Sequence, residues 1–147
     1  MFRHILIPTD GSPVANKAVK AGIGLAKQLG ARVTGYYSVE AIQPRVYGEG
    51  YIVDNKTIKA FEQQARAVGQ KHIDMMGRAA AAAGVKFTGM VTVAETPYDG
   101  IIEAAKKQKC DAIFMASHGR RGLAGILMGS VTHKVLTHSK LPVLVYR

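Results

Sequence analysis

Apolar and polar residues follow two different periods along this chain, and the change from one to the other predicts a regular succession of strands and helices. Short, nearly uninterrupted apolar runs are typical of strands that are buried on both faces of a sheet. Such runs, with one clearly alternating segment from Val85 to Val93, predict strands at residues 5–7, 31–39, 85–93, 111–115 and 141–146. Apolar residues at three- and four-residue steps between these strands predict four helices.

Capping residues indicate where the helices begin and end. Ser12-Pro13 and Thr96-Pro97 each place a hydroxyl side chain before a proline, which is favoured at the first helical position. Asp54 or Asn55 is expected to cap a long second helix. Gly30 and Gly84 are placed to end the first two helices, because glycine readily adopts the left-handed conformation that follows a helix.

The apolar stripes of the first two helices predict which faces pack on the sheet. The first stripe is Val14, Ala18, Ala21, Leu25 and Leu29. The second is Ile58, Phe61, Ala65, Val68, His72, Met75 and Ala79. His72 can be a packing residue or a ligand, and its place on an apolar stripe favours a partly buried packing residue.

Strands that alternate with helices at this spacing predict an α/β fold: a three-layer sandwich with a five-stranded parallel sheet between its helices. We expect residues 1–147 to form a single domain. Ligands of such sheets bind beyond the carboxyl ends of the strands, where the strand order reverses. The segment from Ala41 to Val53 contains Pro44, Gly48 and Gly50 and has no clear period, so we expect a surface loop that can cover a site.

Loops with suitable chemistry follow three of the predicted strands: Pro8-Thr9-Asp10, the segment from Val39 onward, and Ser117-His118-Gly119. The last of these loops leads to Gly129-Ser130, where the fourth helix is predicted to start. No Asp or Glu occurs from Ala112 to Arg147. Unpaired backbone amides and the helix dipole favour an anion at a helix N-terminus. The stretch therefore predicts a nucleotide-phosphate site.

The charge balance leaves several partners open. The net charge is +10 and the isoelectric point is about 9.9. This suits a nucleic acid, a membrane surface, a phosphorylated small molecule or simply a solvated basic surface. Nucleic-acid binding is the weaker alternative, because the chain carries no DNA- or RNA-binding motif.

Cysteine usage and hydropathy indicate the compartment. Cys110 is the only cysteine, so no disulfide can form within the chain, and we expect a buried, inert thiol. No window is long and apolar enough for a transmembrane helix, and we expect a cytoplasmic protein.

The motifs resemble one known family. ILIPTDGS near the start, DAIFMASHGRRGL, GSVTHKVL and the terminal PVLVY are similar to those of single-domain, UspA-like universal stress proteins. The family's nucleotide signature is two glycines separated by two residues, then nine residues, then Gly followed by Ser or Thr. Gly119 and Gly129-Ser130 match it with the correct spacing, whereas Ala116 stands at the first glycine position.

The resemblance implies an adenine nucleotide α-hydrolase-like (Rossmann-like) fold that binds ATP, with Mg²⁺, as a regulatory switch in the stress response. It also implies a homodimer joined through the terminal strand from Leu141 to Tyr146 and an unidentified downstream protein partner. The implied nucleotide-binding residues are Pro8, Thr9, Asp10, Val39, Met115, Ala116, Ser117, His118, Gly119, Arg120, Gly129, Ser130, Val131 and Thr132. Pro8 to Asp10, Val39 and Met115 would surround the nucleoside, and the residues from Gly119 onward would hold the phosphates.

Three questions stay open on these residues. If Ala116 needs a positive φ, the alanine costs roughly 1 kcal/mol; if φ is negative, only a methyl group is added. His118 can orient the loop by a hydrogen bond or touch a phosphate. The alternative function is a nucleotide-free homodimeric interaction module of the same fold.

Catalysis is not indicated. No catalytic triad spacing and no metal-ligand cluster occurs near the predicted loops. The sequence favours a binding switch with, at most, slow ATP hydrolysis.

Overall fold

The computed structural model describes residues 1–42, 54–119 and 128–147, in which five strands alternate with four helices. The elements are β1 (His4–Pro8), α1 (Pro13–Leu29), β2 (Arg32–Glu40), α2 (Asn55–Ala83), β3 (Phe87–Ala94), α3 (Pro97–Lys107), β4 (Ala112–Ala116), α4 (Ser130–His138) and β5 (Val143–Tyr146). Each predicted strand and helix is found, although β3 and β5 begin two residues later than predicted.

All strand pairs are parallel, and the sheet order is β3-β2-β1-β4-β5. The chain adds β2 and β3 on one side of β1 and then crosses over to add β4 and β5 on the other side. The strand order therefore reverses between β1 and β4, and this is where ligands bind in open parallel sheets. The predicted fold class is confirmed.

Side chains that alternate along the strands build two separate cores. Ile5 and Ile7 of β1 pack under α1 and α2, whereas Leu6 between them packs under α3 and α4. β1 and β4 are buried at every position. The helices therefore cover both faces of the sheet, which explains why these two strands are almost continuously apolar.

The predicted helix caps are confirmed at α1, α2 and α3. The Ser12 hydroxyl accepts a hydrogen bond from the Ala15 amide (3.2 Å), and Asp54 and Thr96 cap α2 and α3 in the same way. Gly30 and Gly84 end α1 and α2 with φ of 63° and 73°. These caps satisfy backbone groups that would otherwise lack partners at the helix ends.

The predicted packing face of α2 is wrong by about one residue. Phe61, Val68 and Met75 are 55%, 42% and 53% exposed. The buried face consists of Ile58, Gly69, Ile73, Met76 and Ala80. Gly69 explains the difference: it has no side chain to mark a hydrophobic stripe, yet it lies where a Cβ would run into the ring of Tyr37, so the helix approaches the sheet closely there. The stripe of α1 is displaced in the same sense, since Val14, Ala21, Leu25 and Leu29 are only partly buried.

A buried polar cluster lies at the amino end of β1, opposite the carboxyl end, where ligands of such sheets bind. The His4 ring is 6% exposed, and its Nε2 lies 2.8 Å from Thr34 Oγ1. Within the described residues, His4 Nδ1 has no hydrogen-bond partner. Burial lowers the pKa of His4 below its ordinary value of 6.5, and the positive charge of Arg32 adds to this effect, while Asp111 opposes it.

The neighbouring thiol is buried, as predicted. Cys110 is 7% exposed, and burial raises its pKa to about 11. The thiolate, which is the reactive form of cysteine, is therefore scarce at neutral pH.

We predict that His4 makes the fold acid-sensitive. Because its pKa is lower in the folded chain than in the unfolded one, the unfolded chain binds the proton first as the pH falls. The stability that the neutral ring contributes is complete above 6.5 and is lost as the pH falls toward the lower, folded pKa. Urea unfolding of the wild type and of His4→Gln at several pH values between about 5 and 7.5 measures this slope.

The slope should be shallower in His4→Gln than in the wild type. Equal slopes in the two proteins would rule out His4 as the cause.

Candidate binding site at the strand-order reversal

Two loops meet at the carboxyl ends of β1 and β4. Asp10 follows β1, and Gly119 lies in the loop that follows β4. The Asp10 carboxylate occupies the space that a Cβ at Gly119 would need. The structure therefore brings together two of the loops that the sequence predicts to converge.

The β1–α1 turn is built by its own side chains. Thr9 is buried, and its amide donates to the Tyr36 carbonyl (2.9 Å), which continues the β1–β2 pairing past the end of β1. The Thr9 hydroxyl accepts from the Gly11 amide (3.1 Å), and Asp10 Oδ1 accepts from the Ser12 amide (2.9 Å). These are the local side-chain-to-backbone bonds by which Asp and Thr form turns. They fix the Asp10 carboxylate at the edge of the sheet.

The β4 loop is held against α4 by buried polar contacts. Ser117 is 1% exposed, its amide donates to the Tyr146 carbonyl (2.8 Å), and its carbonyl accepts from the Gly129 amide (2.7 Å). Thr132, which is 3% exposed, donates through Oγ1 to the Ala116 carbonyl (2.9 Å). Both predicted site residues, Ser117 and Thr132, thus use their polar groups to connect the strand to the helix.

His118 shows the orienting hydrogen bond that was one of its two predicted roles. Its Nδ1 lies 2.6 Å from Ser117 Oγ. The backbone of His118 also passes close to the helix start, since a Cβ on Gly129 would lie 3.2 Å from His118 Cα. Gly129 therefore permits a close approach of two backbone segments, which a larger residue would push apart.

The N-terminus of α4 lies at Gly129-Ser130, as predicted. Gly129, with φ −70° and ψ 156°, is the N-cap, and no side chain caps the helix within the described part of the chain. Ser130 is the first helical residue and is exposed, so its hydroxyl does not cap the helix. The amides of Ser130, Val131 and Thr132 belong to the first turn, where N–H groups have no partner within the helix.

Ala116 has an ordinary strand conformation. It is the last residue of β4, pairs with Tyr146, and is 7% exposed. Lys109 is the one non-glycine residue with positive φ in the described ranges. Of the two alternatives for Ala116, the structure therefore has the negative φ, and the alanine adds only a methyl group, which packs in the core under α1 and α2.

The remaining predicted residues surround the same edge of the sheet. Met115 packs on the α3 and α4 side, whereas Val39 packs on the α1 and α2 side. Pro8, the last residue of β1, pairs with Tyr36, so β2 extends four residues beyond β1 and carries Val39 past it. Arg120 and residues 43–53 of the predicted covering loop lie outside the described residues.

Three residues near the site were not predicted to take part in it: Gly11, Tyr37 and His72. Gly11 has φ of 77°, and the His72 ring occupies the space that a Cβ at Gly11 would need. His72 is half-buried, as the packing interpretation predicts, and its ring stacks on Tyr37 with centroids 5.7 Å apart. No sequence pattern links these positions, because they are far apart in the chain and meet only in the folded sheet.

Within the described residues, two features of other functional classes are absent. No group of three or more His, Cys, Asp or Glu side chains is arranged there to hold a metal ion. Among the helices in the same ranges, none has the length and apolarity needed to cross a bilayer.

Comparison with known proteins identifies the family. The model of the universal stress protein family matches residues 1–147. Universal stress protein MJ0531 of Methanocaldococcus jannaschii is 34% identical over 148 residues, which cover 100% of this chain and 83% of that protein. Universal stress protein YxiE of Bacillus subtilis is 30% identical over 149 residues, with 100% of both chains covered.

Solved structures share the fold. UspA from Lactobacillus plantarum superimposes with a TM-score of 0.84 at 20% identity, covering 99% of this chain and 97% of that one. A universal stress protein solved in complex with cAMP has a TM-score of 0.72 at 23% identity, with 99% and 97% covered. One from Archaeoglobus fulgidus in complex with dAMP has a TM-score of 0.63 at 17% identity, with 100% and 98% covered. This chain belongs to the universal stress protein family.

Proposed function

We propose that this protein binds an adenine nucleotide, specifically ATP with Mg²⁺, where β1 and β4 end, and that binding acts as a switch in the stress response of the cytoplasm. The observation that carries the proposal is the contact between the Asp10 carboxylate and Gly119, because it joins the two loops at the strand-order reversal. Universal stress proteins solved with cAMP and dAMP support an adenine nucleotide as the ligand class.

The chemistry of the site suits a nucleotide at both ends. Asp10 offers a carboxylate acceptor for a ribose hydroxyl, the backbone of Val39 would meet the base, and Met115 would border the same pocket. Gly119 and Gly129 add no side chain to the loop, and the first-turn amides of α4 favour negative charge. Mg²⁺ is commonly held largely by the phosphates of such a nucleotide. We propose that Arg120 adds positive charge to this end.

We propose that the protein binds the nucleotide and changes partner in response, rather than turning the nucleotide over rapidly. The hydroxyls of Ser117 and Thr132 are buried and already engaged in protein contacts. Neither is placed as a free nucleophile or as a donor to an attacking water. A nucleotide-free interaction module is the competing function, and mass spectrometry of small molecules released from the denatured purified protein separates the two.

Gly119→Ala is expected to weaken Mg-ATP binding by at least tenfold, because its methyl group would displace the Asp10 carboxylate. Isothermal titration of both proteins measures the effect. Gly24→Ala is the matched control: it adds the same methyl at a glycine of α1 that has nothing within 4 Å, so its affinity should equal that of the wild type. Absence of heat with the wild type, together with no released nucleotide, would exclude the nucleotide function.

Ala116→Gly should leave Mg-ATP affinity within about threefold of the wild type, because Ala116 does not need a positive φ. The substitution should instead lower the free energy of unfolding by about 1 kcal/mol, since glycine is unfavourable within a strand and a core methyl is lost. Titration and urea unfolding test the two statements separately. A large gain in affinity would mean that the methyl group obstructs the nucleotide.

We propose that the protein forms a homodimer through its terminal strand. β5 is an edge of the sheet. The carbonyl of Pro142, just before β5, accepts from Ile113 of β4, and the Tyr146 carbonyl accepts from Ser117, just after β4. Backbone groups of successive residues in a strand point to opposite sides. Leu144 therefore faces β4, as Pro142 and Tyr146 do, whereas Val143 and Val145 direct their backbone groups outward. An apolar edge with unused backbone groups favours pairing with a second copy.

Val145→Pro is expected to convert the dimer to a monomer, because it removes an outward N–H and leaves the β4–β5 bonds unchanged. Val145→Thr keeps this N–H and should remain dimeric. Multi-angle light scattering gives the mass of each protein, and circular dichroism confirms that each is folded. A folded Val145→Pro dimer would contradict pairing through this edge.

A further inference from the structure

The β1–α1 turn is supported from outside the proposed site by a side chain of α2. Gly11 has φ of 77°, and the Cε1 and Nε2 atoms of the His72 imidazole occupy the place where its Cβ would lie. The turn therefore packs its backbone directly against the imidazole edge. A residue with a side chain could not take the place of Gly11 without moving that ring.

The imidazole is itself held in place by β2. It stacks on the Tyr37 ring with centroids 5.7 Å apart and planes inclined by 11°. Tyr37 is 8% exposed, and its ring fills the space beside Gly69, one turn before His72 in α2. Gly11 accommodates the His72 ring, and Gly69 accommodates the Tyr37 ring. Neither ring can therefore shift without disturbing the backbone of the glycine beside it.

The same turn holds the carboxylate of Asp10, the residue before Gly11. Asp10 Oδ1 accepts from the Ser12 amide, and the same carboxylate lies against Gly119 on the far side. A series of contacts thus runs from His72 through Gly11 and Asp10 to the loop after β4. Displacement of the turn would move the carboxylate away from that loop.

We propose that His72 is a positioning residue: its stacked ring fixes the β1–α1 turn and so makes nucleotide affinity depend on how α2 packs against the sheet. The inference rests on the proposed function and adds a residue to it that does not itself touch the nucleotide. What the turn needs is a flat ring in this position rather than a titratable nitrogen.

His72→Ala should weaken Mg-ATP binding by about tenfold in isothermal titration, whereas His72→Phe, which keeps a flat ring on Tyr37, should stay within about threefold of the wild type. Met75→Ala is the control in the same helix, since Met75 is 53% exposed. Rescue by the conservative variant is the result that a general loss of stability would not produce.

Hydrogen exchange gives a readout that needs no nucleotide. The Gly11 and Ser12 amides are bonded within the turn, so they should exchange faster in His72→Ala and at the wild-type rate in His72→Phe. If the exchange rates are as expected but the wild type does not bind Mg-ATP, the nucleotide function is refuted, whereas the positioning of the turn by His72 is not. Unchanged exchange and affinity in folded His72→Ala, or equal losses in both variants, would overturn the positioning role.

Discussion

The adjacency of β1 and β4 in one parallel sheet is the constraint on which the candidate site depends. Parallel strands end at the same edge of a sheet. The pairing of β1 with β4 is therefore enough to bring the turn after β1 next to the loop after β4. Ile5 pairs with Ala112 and Leu6 with Ile113, and that register leads directly to Asp10 beside Gly119. Burial of both strands on both faces keeps this register from slipping, because a shift of one residue would exchange the two cores.

Buried polar groups then determine the shape of the loops. Ser117 and Thr132 connect the end of β4 to the start of α4, and Thr9 extends the β1–β2 pairing into the turn. Each is a hydroxyl residue with an exposure of 8% or less that satisfies backbone groups which burial would otherwise leave without partners. The residues that give the edge its chemistry are therefore held by neighbours whose role is structural.

Ala116 shows why a motif position has to be interpreted with its backbone conformation. A glycine in a signature can be required for a positive φ, for a close approach, or for neither. Gly129 is needed for the close approach to His118, whereas Ala116 lies in a strand with its methyl in the core. The departure from the family pattern therefore falls where a small residue suffices. The backbone conformation at this position does not require a glycine.

Local patterns in the sequence determined the succession of elements, the parallel sheet, the caps and the loops that form the site. These features depend on residues that are close together in the chain, such as Ser12-Pro13, Gly30 or the apolar run before Ser117, and short-range physics is enough to predict them. Only the tertiary structure decided which face of α2 is buried, that Gly129 rather than Ser130 caps α4, and that His72 supports Gly11. Each of these depends on how closely two distant segments approach, and a glycine that permits the approach leaves no hydrophobic signal in the sequence.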